Sequence, residues 1–238
     1  MKFGIFIKCP QIEIIEVCGI AKIDFVVLDM EHTPLGFNDL KPLLLAAEKH
    51  SLEIILRLPA NKEEYFKWPL DIGFEHIQVP QIETEEDAHF SIKNTFFYPK
   101  GERGLCRFVR AANYSDKDKN AYIKDSNESL KLTLQIEGKK GIDNLDSILS
   151  TPNLESIMIG PYDLSQSLGM PGDIWNEEVI NEMSEIIKKC KKLNIQVGTF
   201  TDTIDGINFW KDRGVDFIEY ASDLNLLLDS IKNLKKGL

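Results

Sequence analysis

Short apolar runs alternate along the chain with segments whose apolar residues recur at helical spacing. Eight of these runs are rich in β-branched and aromatic residues, and most are continuously apolar, which is typical of strands buried on both faces of a parallel sheet. The predicted strands are Phe3–Ile7, Phe25–Asp29, Ile54–Leu58, His76–Pro80, Leu130–Glu137, Ser156–Gly160, Ile195–Phe200 and Phe217–Tyr220. The pattern therefore predicts an α/β fold built on a parallel sheet.

Between the strands, apolar side chains three and four residues apart predict amphipathic helices. Three such stripes are Leu40, Leu43, Leu44 and Ala47; Val179, Met183, Ile186, Ile187 and Cys190; and Leu224, Leu227, Leu228, Ile231 and Leu234. Eight strands separated by helices in 238 residues match a (β/α)8 TIM barrel, whose active site lies at the carboxyl ends of the strands. A doubly wound open sheet is the alternative, but no GxGxxG sequence follows the first strand to favour it.

One long stretch, residues 81–129, predicts two helices but no strand. Between these helices lies Tyr98-Pro99-Lys100-Gly101-Glu102-Arg103-Gly104, whose proline and glycines favour a loop. Long loops in compact domains usually cover a site or form an interface. Because no linker or low-complexity stretch interrupts the pattern, residues 1–238 are predicted to form a single barrel domain.

The charge balance, the length of the apolar runs and the cysteine spacing together indicate which partners and which cell compartment to expect. The chain has 28 Lys and Arg against 38 Asp and Glu, a formal net charge of −10, whereas binding to nucleic acid needs clustered cations. No segment approaches the roughly eighteen apolar residues of a membrane span, and the first apolar run is too short for a signal peptide. The four cysteines are far apart and contain no CxxC pair, which favours reduced thiols. We therefore expect a cytoplasmic protein with no nucleic-acid or membrane partner.

Chemically versatile side chains follow several predicted strands. His32 follows the second strand, Arg57 lies at the end of the third, Gln135 and Glu137 end the fifth, and Asp163 follows the sixth. Because the carboxyl ends of parallel strands meet at one end of a barrel, these residues should converge there. Random placement would scatter them over both ends, so the convergence predicts an active site.

Each candidate has a chemical role and a structural alternative. Glu137 and Asp163 offer the oxygen ligands that a hard divalent cation such as Mg²⁺ prefers, although each could instead cap a helix or pair with a lysine. His32 suits proton transfer near neutral pH. Asp29 or Asp71 could orient its imidazole, and for Asp29 a plain structural hydrogen bond is the favoured interpretation.

Two cationic residues complete the set. Arg57 lies in the apolar run Ile54-Ile55-Leu56-Arg57-Leu58 and therefore needs an anionic partner. That partner is either a protein carboxylate or a substrate carboxylate held bidentately. Lys8, at the end of the first strand, is the only lysine well placed to form a Schiff base with a ketone.

The chain resembles the HpcH/HpaI aldolase family, the metal-dependent aldolases of 2-keto-3-deoxy acids. The resemblance extends from Gly4 to about Asp223 and depends on the joint order and spacing of several short segments. These are Asp29-Met30-Glu31-His32, Leu56-Arg57-Leu58-Pro59, Leu70-Asp71-Ile72-Gly73, Val79-Pro80, the loop from Tyr98 to Gly104, Gln135-Ile136-Glu137, Asn144-Leu145-Asp146 and Gly160-Pro161-Tyr162-Asp163-Leu164-Ser165.

The resemblance implies a metal and a substrate site. Glu137 and Asp163 would bind a divalent metal ion, namely Mg²⁺, Mn²⁺ or Co²⁺. Arg57 and Gln135 would hold the pyruvate-like half of the substrate, and backbone amides near Gly160 and Tyr162, in the segment Gly160-Pro161-Tyr162, would bind its carboxylate. The implied reaction is reversible cleavage of a 4-hydroxy-2-keto acid to pyruvate and an aldehyde, which is that of a class II aldolase.

The resemblance also implies a proton-transfer pair and an oligomer. His32, paired with Asp71, would handle protons. Family members typically form trimers or hexamers with helix exchange, so a homo-oligomer is expected. Three positions depart from the family pattern: Thr33, Lys100 and Tyr162 stand where the family usually has glycine, proline and asparagine.

Two other functions stay open. An acyl-CoA ester lyase of the citrate lyase β type would share the barrel, but only one short helix is predicted after the eighth strand to help hold a nucleotide. A non-catalytic binding protein is the second alternative. The intact set of His, Arg, Glu and Asp candidates counts against it.

Overall fold

Eight parallel strands close into a barrel in chain order, β1 to β8, in the computed structural model, which describes residues 1–237. The strands are β1 Lys2–Ile7, β2 Phe25–Asp29, β3 Glu53–Arg57, β4 His76–Val79, β5 Lys131–Ile136, β6 Ser156–Ile159, β7 Gln196–Thr201 and β8 Phe217–Ser222. All eight predicted strands are present, and no end differs by more than two residues. The (β/α)8 barrel is therefore confirmed.

Helices connect the strands on the outside of the barrel. They are α1 Ile12–Ile20, α2 Phe37–Lys49, α3 Glu63–Ile72, α4 Glu85–Thr95, α5 Lys119–Ser129, α6 Lys139–Asp143, α7 Leu145–Leu149, α8 Pro161–Ser167, α9 Glu177–Lys192, α10 Ile204–Asp212 and α11 Asp223–Lys236. The stretch between β4 and β5 holds α4, a 3₁₀ segment Arg110–Ser115 and α5, without a strand, as predicted. Among the described residues, no helix is both long and apolar enough to cross a bilayer.

Aromatic rings fill the amino-terminal end of the barrel. Phe25 and Phe217, the first residues of β2 and β8, lie in contact with each other inside the barrel with ring centroids 6.2 Å apart. Gly4 and Gly198 make room for them, because an added Cβ would lie 2.3 Å from the Phe25 ring or 2.2 Å from the Phe217 ring. The packed rings fill the barrel interior at this end, and active sites of such barrels lie at the carboxyl end.

The last helix, α11, differs from the others in its burial. Within residues 1–237 only its first residue, Asp223, is buried. Its large apolar side chains are between 41% and 71% exposed; they are Leu224, Leu226, Leu227, Leu228, Ile231 and Leu234. The predicted apolar stripe therefore exists, but it does not pack on the barrel of its own chain.

Candidate active site

The carboxyl ends of the strands surround a cavity of about 290 Å³. Its lining contains all the predicted site residues except Asp71, namely His32, Arg57, Gln135, Glu137, Gly160, Pro161, Tyr162 and Asp163. Lys8 also lines this cavity. The convergence predicted from the strand order is therefore present in the fold.

Asp29 is the centre of a buried charge cluster at the ends of β1, β2 and β3. Arg57 donates to its carboxylate from Nε at 2.9 Å and from Nη2 at 2.8 Å, and Lys8 forms an ion pair with it. Burial alone would raise the pKa of Asp29, but hydrogen bonds and charges of Arg57 and Lys8 outweigh burial and hold this pKa well below its usual range. The sequence predicts that Arg57 pairs with either a protein carboxylate or a substrate carboxylate. In the structure its partner is a protein carboxylate, that of Asp29.

His32 lies at the cavity mouth, with 62% of its side chain exposed. The backbone N–H groups of Glu31 and His32 donate to Asp29 Oδ1 at 3.0 and 3.2 Å. Asp29 therefore has the structural hydrogen bonds favoured for it, and it fixes the turn that carries His32. The closest acidic group to the imidazole is Glu31, whose Oε2 lies 3.8 Å from His32 Nε2.

The expected pairing of His32 with Asp71 is not formed within this chain. The Asp71 carboxylate instead accepts a hydrogen bond from Arg103 Nη2 at 2.9 Å. Arg103 is buried and lies in the long loop after α4, with its guanidinium over the Phe97 ring. A buried arginine needs a carboxylate partner, so the loop rather than the imidazole engages Asp71 here.

A chain of side-chain hydrogen bonds orients the residues at the end of β5. Gln78 Nε2, on β4, donates to Gln135 Oε1 at 2.8 Å. Gln135 Nε2 donates in turn to Glu137 Oε2, and the other oxygen of Glu137 accepts the backbone N–H of Gln81 at 2.7 Å. Because Gln135 Oε1 accepts and Gln135 Nε2 donates, the amide of Gln135 is held in one orientation beside the Glu137 carboxylate.

Helix α8 begins at the mouth and presents free backbone donors. Gly160 N–H is already used, because it donates to Ile136 O at 3.1 Å, and Pro161 has no N–H group. The N–H groups of Tyr162 and Asp163 have no acceptor among the described residues. Of the predicted segment Gly160-Pro161-Tyr162, Tyr162 therefore has a free amide, and Asp163 adds a second free amide at the helix N-terminus, where anions are favoured.

The carboxylates of Glu137, after β5, and Asp163, in α8, line the same cavity and fit a divalent cation. Burial raises the pKa of Glu137 to about 7 against the hydrogen bond from Gln135, and the charges of Glu31 and Asp163 raise it further. A bound cation would reverse this effect, because an opposite charge favours the ionised carboxylate. Space beside Glu137 depends on Gly160, where an added Cβ would lie 2.7 Å from Glu137 Oε2.

The carboxylates alone do not form a complete cage. Within residues 1–237, no group of three or more His, Cys, Asp or Glu side chains is arranged to hold a metal ion. Glu137 and Asp163 would therefore leave positions for water and substrate oxygens. This arrangement is typical of Mg²⁺ sites, where one or two carboxylates act together with the substrate.

An aromatic wall closes the cavity beside Asp163. The rings of Phe6 and Phe200 lie 5.8 Å apart, and the Tyr162 ring lies 5.8 Å from Phe200. Tyr162 Oη donates to Asp202 Oδ2 at 2.8 Å; burial first, and then this carboxylate, raise the pKa of Tyr162 to about 12. Tyr162 therefore lies at the mouth as a neutral donor.

Two buried polar residues in the barrel were not identified from the sequence. Glu219, on β8, is fully buried, and Gln78 Nε2 donates to its Oε2 at 3.4 Å. Both residues lie within apolar strands. A polar residue in such a strand, at a position that faces the barrel interior, is the sequence signal that identifies them. They link the charge cluster of Asp29 and Arg57 to Gln135.

Known proteins that resemble this chain include named aldolases. The chain is 28% identical over 231 residues to a 2-dehydro-3,6-dideoxy-6-sulfogluconate aldolase of Pseudomonas putida, covering 97% of this chain and 90% of that protein. It is 31% identical over 219 residues to a 5-keto-4-deoxy-D-glucarate aldolase of Citrobacter koseri, covering 92% and 84%. The crystal structure of a HpcH/HpaI aldolase/citrate lyase family protein from Burkholderia cenocepacia superposes with a TM-score of 0.94 at 28% identity, covering 99% and 93%.

These relatives are named for aldol cleavage, and the barrel carries side chains suited to that chemistry at its mouth. The activity is therefore that of a carbon–carbon lyase of the aldolase type. Since the HpcH/HpaI aldolase/citrate lyase family model matches residues 2–230, the chain belongs to that family.

Proposed function

We propose that the protein is a divalent-metal-dependent aldolase that reversibly cleaves a 4-hydroxy-2-keto acid to pyruvate and an aldehyde. The observation that carries this proposal is the meeting of Glu137, Asp163 and Gln135 in one cavity with Arg57 and His32. Carboxylates for a cation, donors for an α-keto acid and a histidine for proton transfer are the groups that such a cleavage requires.

Glu137 and Asp163 would hold the cation. When bound, a divalent ion would supply Lewis-acid stabilisation for the negative charge that develops on the 2-keto oxygen. Gln135 and the free amides at the start of α8 would orient the pyruvate half, the amides binding its carboxylate. Arg57 adds fixed positive charge; its Nε and Nη2 donate to Asp29, and its Nη1 lies 3.3 Å from Glu31 Oε2.

His32 would act as the base for the C4 hydroxyl proton. Removal of this proton allows the C3–C4 bond to break, releasing the aldehyde and leaving the bonding electron pair on the three-carbon fragment. A proton delivered to C3 then yields pyruvate. The exposed position of the imidazole at the mouth allows it to exchange protons with solvent between turnovers.

The proposal includes assembly and location. A homo-oligomer, a trimer or hexamer, is supported by the exposed apolar stripe of α11, which needs a cover that its own barrel does not provide. A cytoplasmic location is supported by four free cysteines, two of them buried, because thiols stay reduced in that compartment.

The proposal is tested by pyruvate release from a panel of 4-hydroxy-2-keto acids. We expect release with Mg²⁺, Mn²⁺ or Co²⁺, loss with EDTA and recovery on adding the ion back. Glu137→Gln and Asp163→Asn should each abolish release, whereas Asp143→Asn, at a surface carboxylate paired with Lys139, serves as the matched control. Cleavage of acyl-CoA esters without pyruvate release would instead identify the second kind of lyase.

Borohydride reduction separates the metal route from an imine route. Lys8 Nζ makes the ion pair with Asp29, so its nitrogen is engaged by a carboxylate and is not free to attack a ketone. Treatment with borohydride and pyruvate should therefore leave the intact mass unchanged. A stable adduct on Lys8, together with activity that EDTA does not affect, would overturn the metal-dependent mechanism.

A further inference from the structure

Gln78 and Glu219 meet inside the barrel, beneath the residues that line the cavity. Gln78 lies on β4 and Glu219 on β8, which are on opposite sides of the closed barrel. Their contact, from Gln78 Nε2 to Glu219 Oε2 at 3.4 Å, therefore crosses the barrel interior. Both side chains are fully buried, and among residues 1–237 the cavity lining includes Gln135 but neither of these two. The pair can therefore affect a ligand only through a neighbouring side chain.

The amide nitrogen of Gln78 uses both of its hydrogens inside the barrel. An amide NH₂ group carries two donor hydrogens, and Gln78 Nε2 has two acceptors, Gln135 Oε1 at 2.8 Å and Glu219 Oε2 at 3.4 Å. The reversed orientation of the Gln78 amide would place its carbonyl oxygen against Gln135 Oε1, which carries no hydrogen. The carboxyl oxygen of Glu219 accepts the second hydrogen and so favours the orientation that the structure shows.

The orientation of Gln78 determines which end of the Gln135 amide faces the cavity. Because Gln135 Oε1 accepts from Gln78, Gln135 Nε2 turns towards Glu137, and both Gln135 and Glu137 line the cavity. Gln135 Nε2 has a second hydrogen besides the one that it donates to Glu137. An ionised 2-keto acid presents acceptor oxygens only, so the donor end of Gln135 is the end that it can use.

Gln78 and Glu219 are unfavourable choices for a structural core. Gln78 Oε1 and Glu219 Oε1 are buried without a hydrogen-bond partner among residues 1–237, and buried polar atoms of this kind lower the stability of a protein. Apolar side chains at these two inward positions would avoid that loss. Departures from good core packing are expected where a function requires them, and this pair lies directly behind a side chain of the active-site cavity.

We propose that Glu219 and Gln78 are positioning residues, which orient the Gln135 amide so that its Nε2 donates to the 2-keto acid. Glu219 orients Gln78, Gln78 orients Gln135, and only Gln135 touches the ligand. The inference rests on the proposed function, because it takes Gln135 as a residue that holds the pyruvate half of the substrate.

Pyruvate binding, measured by calorimetry at saturating Mg²⁺, tests this relay without turnover. Gln78→Leu should weaken pyruvate binding about 3- to 10-fold, the effect of losing a neutral hydrogen bond. In a Gln135→Leu background the same change at Gln78 should have no further effect, because the residue through which it acts is absent. Additive effects of the two substitutions, or unchanged affinity in Gln78→Leu, would overturn the relay.

Two substitutions of Glu219 separate orientation from packing. Glutamine keeps a carbonyl oxygen as an acceptor for Gln78, so Glu219→Gln should bind pyruvate nearly as tightly as wild-type protein. Glu219→Leu removes the acceptor and should weaken binding as Gln78→Leu does. Equal loss of affinity in Glu219→Gln and Glu219→Leu would contradict the assigned role of the acceptor. The comparison of Gln78→Leu with the double variant decides the proposal even where Glu219→Leu fails to fold.

Ser156→Ala is the matched control for loss of a buried hydrogen bond in the same barrel. Ser156 Oγ lies 2.7 Å from Thr133 Oγ1, and neither residue lines the cavity among residues 1–237. This variant should unfold at lower urea concentration but bind pyruvate as wild-type protein does. A loss of affinity equal to that of Gln78→Leu would show a general effect of destabilisation and overturn the relay.

Failure of the proposed function has a different signature. Wild-type protein would then release no pyruvate from any 4-hydroxy-2-keto acid, whereas the binding measurements would still show whether Gln78 acts through Gln135. Pyruvate release together with additive effects would overturn the relay alone. Absence of pyruvate binding by wild-type protein at saturating Mg²⁺ would overturn both proposals.

Discussion

Arg57 donates two side-by-side hydrogen bonds to Asp29, and this bidentate pair lies buried between the ends of β2 and β3. The guanidinium is therefore oriented by the protein before any substrate binds. Its third nitrogen, Nη1, lies 3.3 Å from Glu31 Oε2, an oxygen that is buried without a hydrogen-bond partner. The geometry makes Arg57 both a structural partner of Asp29 and a source of positive charge at the cavity.

Arg57→Lys should be nearly as damaging as Arg57→Ala. Lysine keeps the charge but cannot make the two parallel hydrogen bonds to Asp29, and breaking a buried ion pair costs about 3–5 kcal/mol. Urea unfolding of both variants measures this cost, and pyruvate release measures the loss of turnover. Wild-type turnover and stability in Arg57→Lys would show that only the charge at this position matters.

His32→Ala should lower the rate of aldol cleavage by about two to four orders of magnitude, the usual effect of losing a general base. The side chain is exposed and is not a proposed metal ligand, so binding of the metal ion and pyruvate should survive. Turnover measured across pH, together with pyruvate binding by calorimetry, separates these effects. Near-normal turnover at every pH would assign the proton transfer to another group.

The strands could be predicted because buried parallel strands are continuously apolar. The convergence of the site residues could be predicted because the carboxyl ends of all the strands lie at the same end of the barrel. The partner of Asp71 could not be predicted in the same way. Arg103 reaches it from an irregular loop 32 residues later in the chain, and no periodicity determines such a contact. The stripe on α11 was visible in the sequence, but the same pattern suits packing on its own barrel or on another copy.

Glu219→Gln should make the stability of the protein less sensitive to pH. Burial raises the pKa of Glu219 to about 7, above its unfolded value of 4.5, although Arg57 and Gln78 act in the opposite direction. The folded state therefore holds a proton that the unfolded state releases, so stability is present below about pH 4.5 and is lost as the pH rises through about 7.

The difference is measurable by urea unfolding at several pH values with EDTA in every sample. Between about pH 4.5 and about pH 7 the free energy of unfolding of the wild-type protein should fall more steeply than that of Glu219→Gln, by up to about 1.4 kcal/mol per pH unit. Glutamine has a similar shape and cannot ionise, so its only large effect is the loss of this proton. Equal pH slopes in the two proteins would contradict the assignment.

We expect the protein to assemble through the exposed apolar face of α11. Isolated exposed leucines are ordinary, but six large apolar side chains on one helix form a patch of the kind that marks an interface. Light scattering should give three or six times the chain mass of 27.1 kDa. Leu227→Lys combined with Ile231→Lys should shift the mass towards one chain, because charge in an apolar contact is costly.

Asp229→Lys changes the charge of the same helix at a polar position and should leave the assembly intact. A wild-type mass of 27.1 kDa at micromolar concentration would refute the oligomer and leave the apolar face of α11 in contact with solvent.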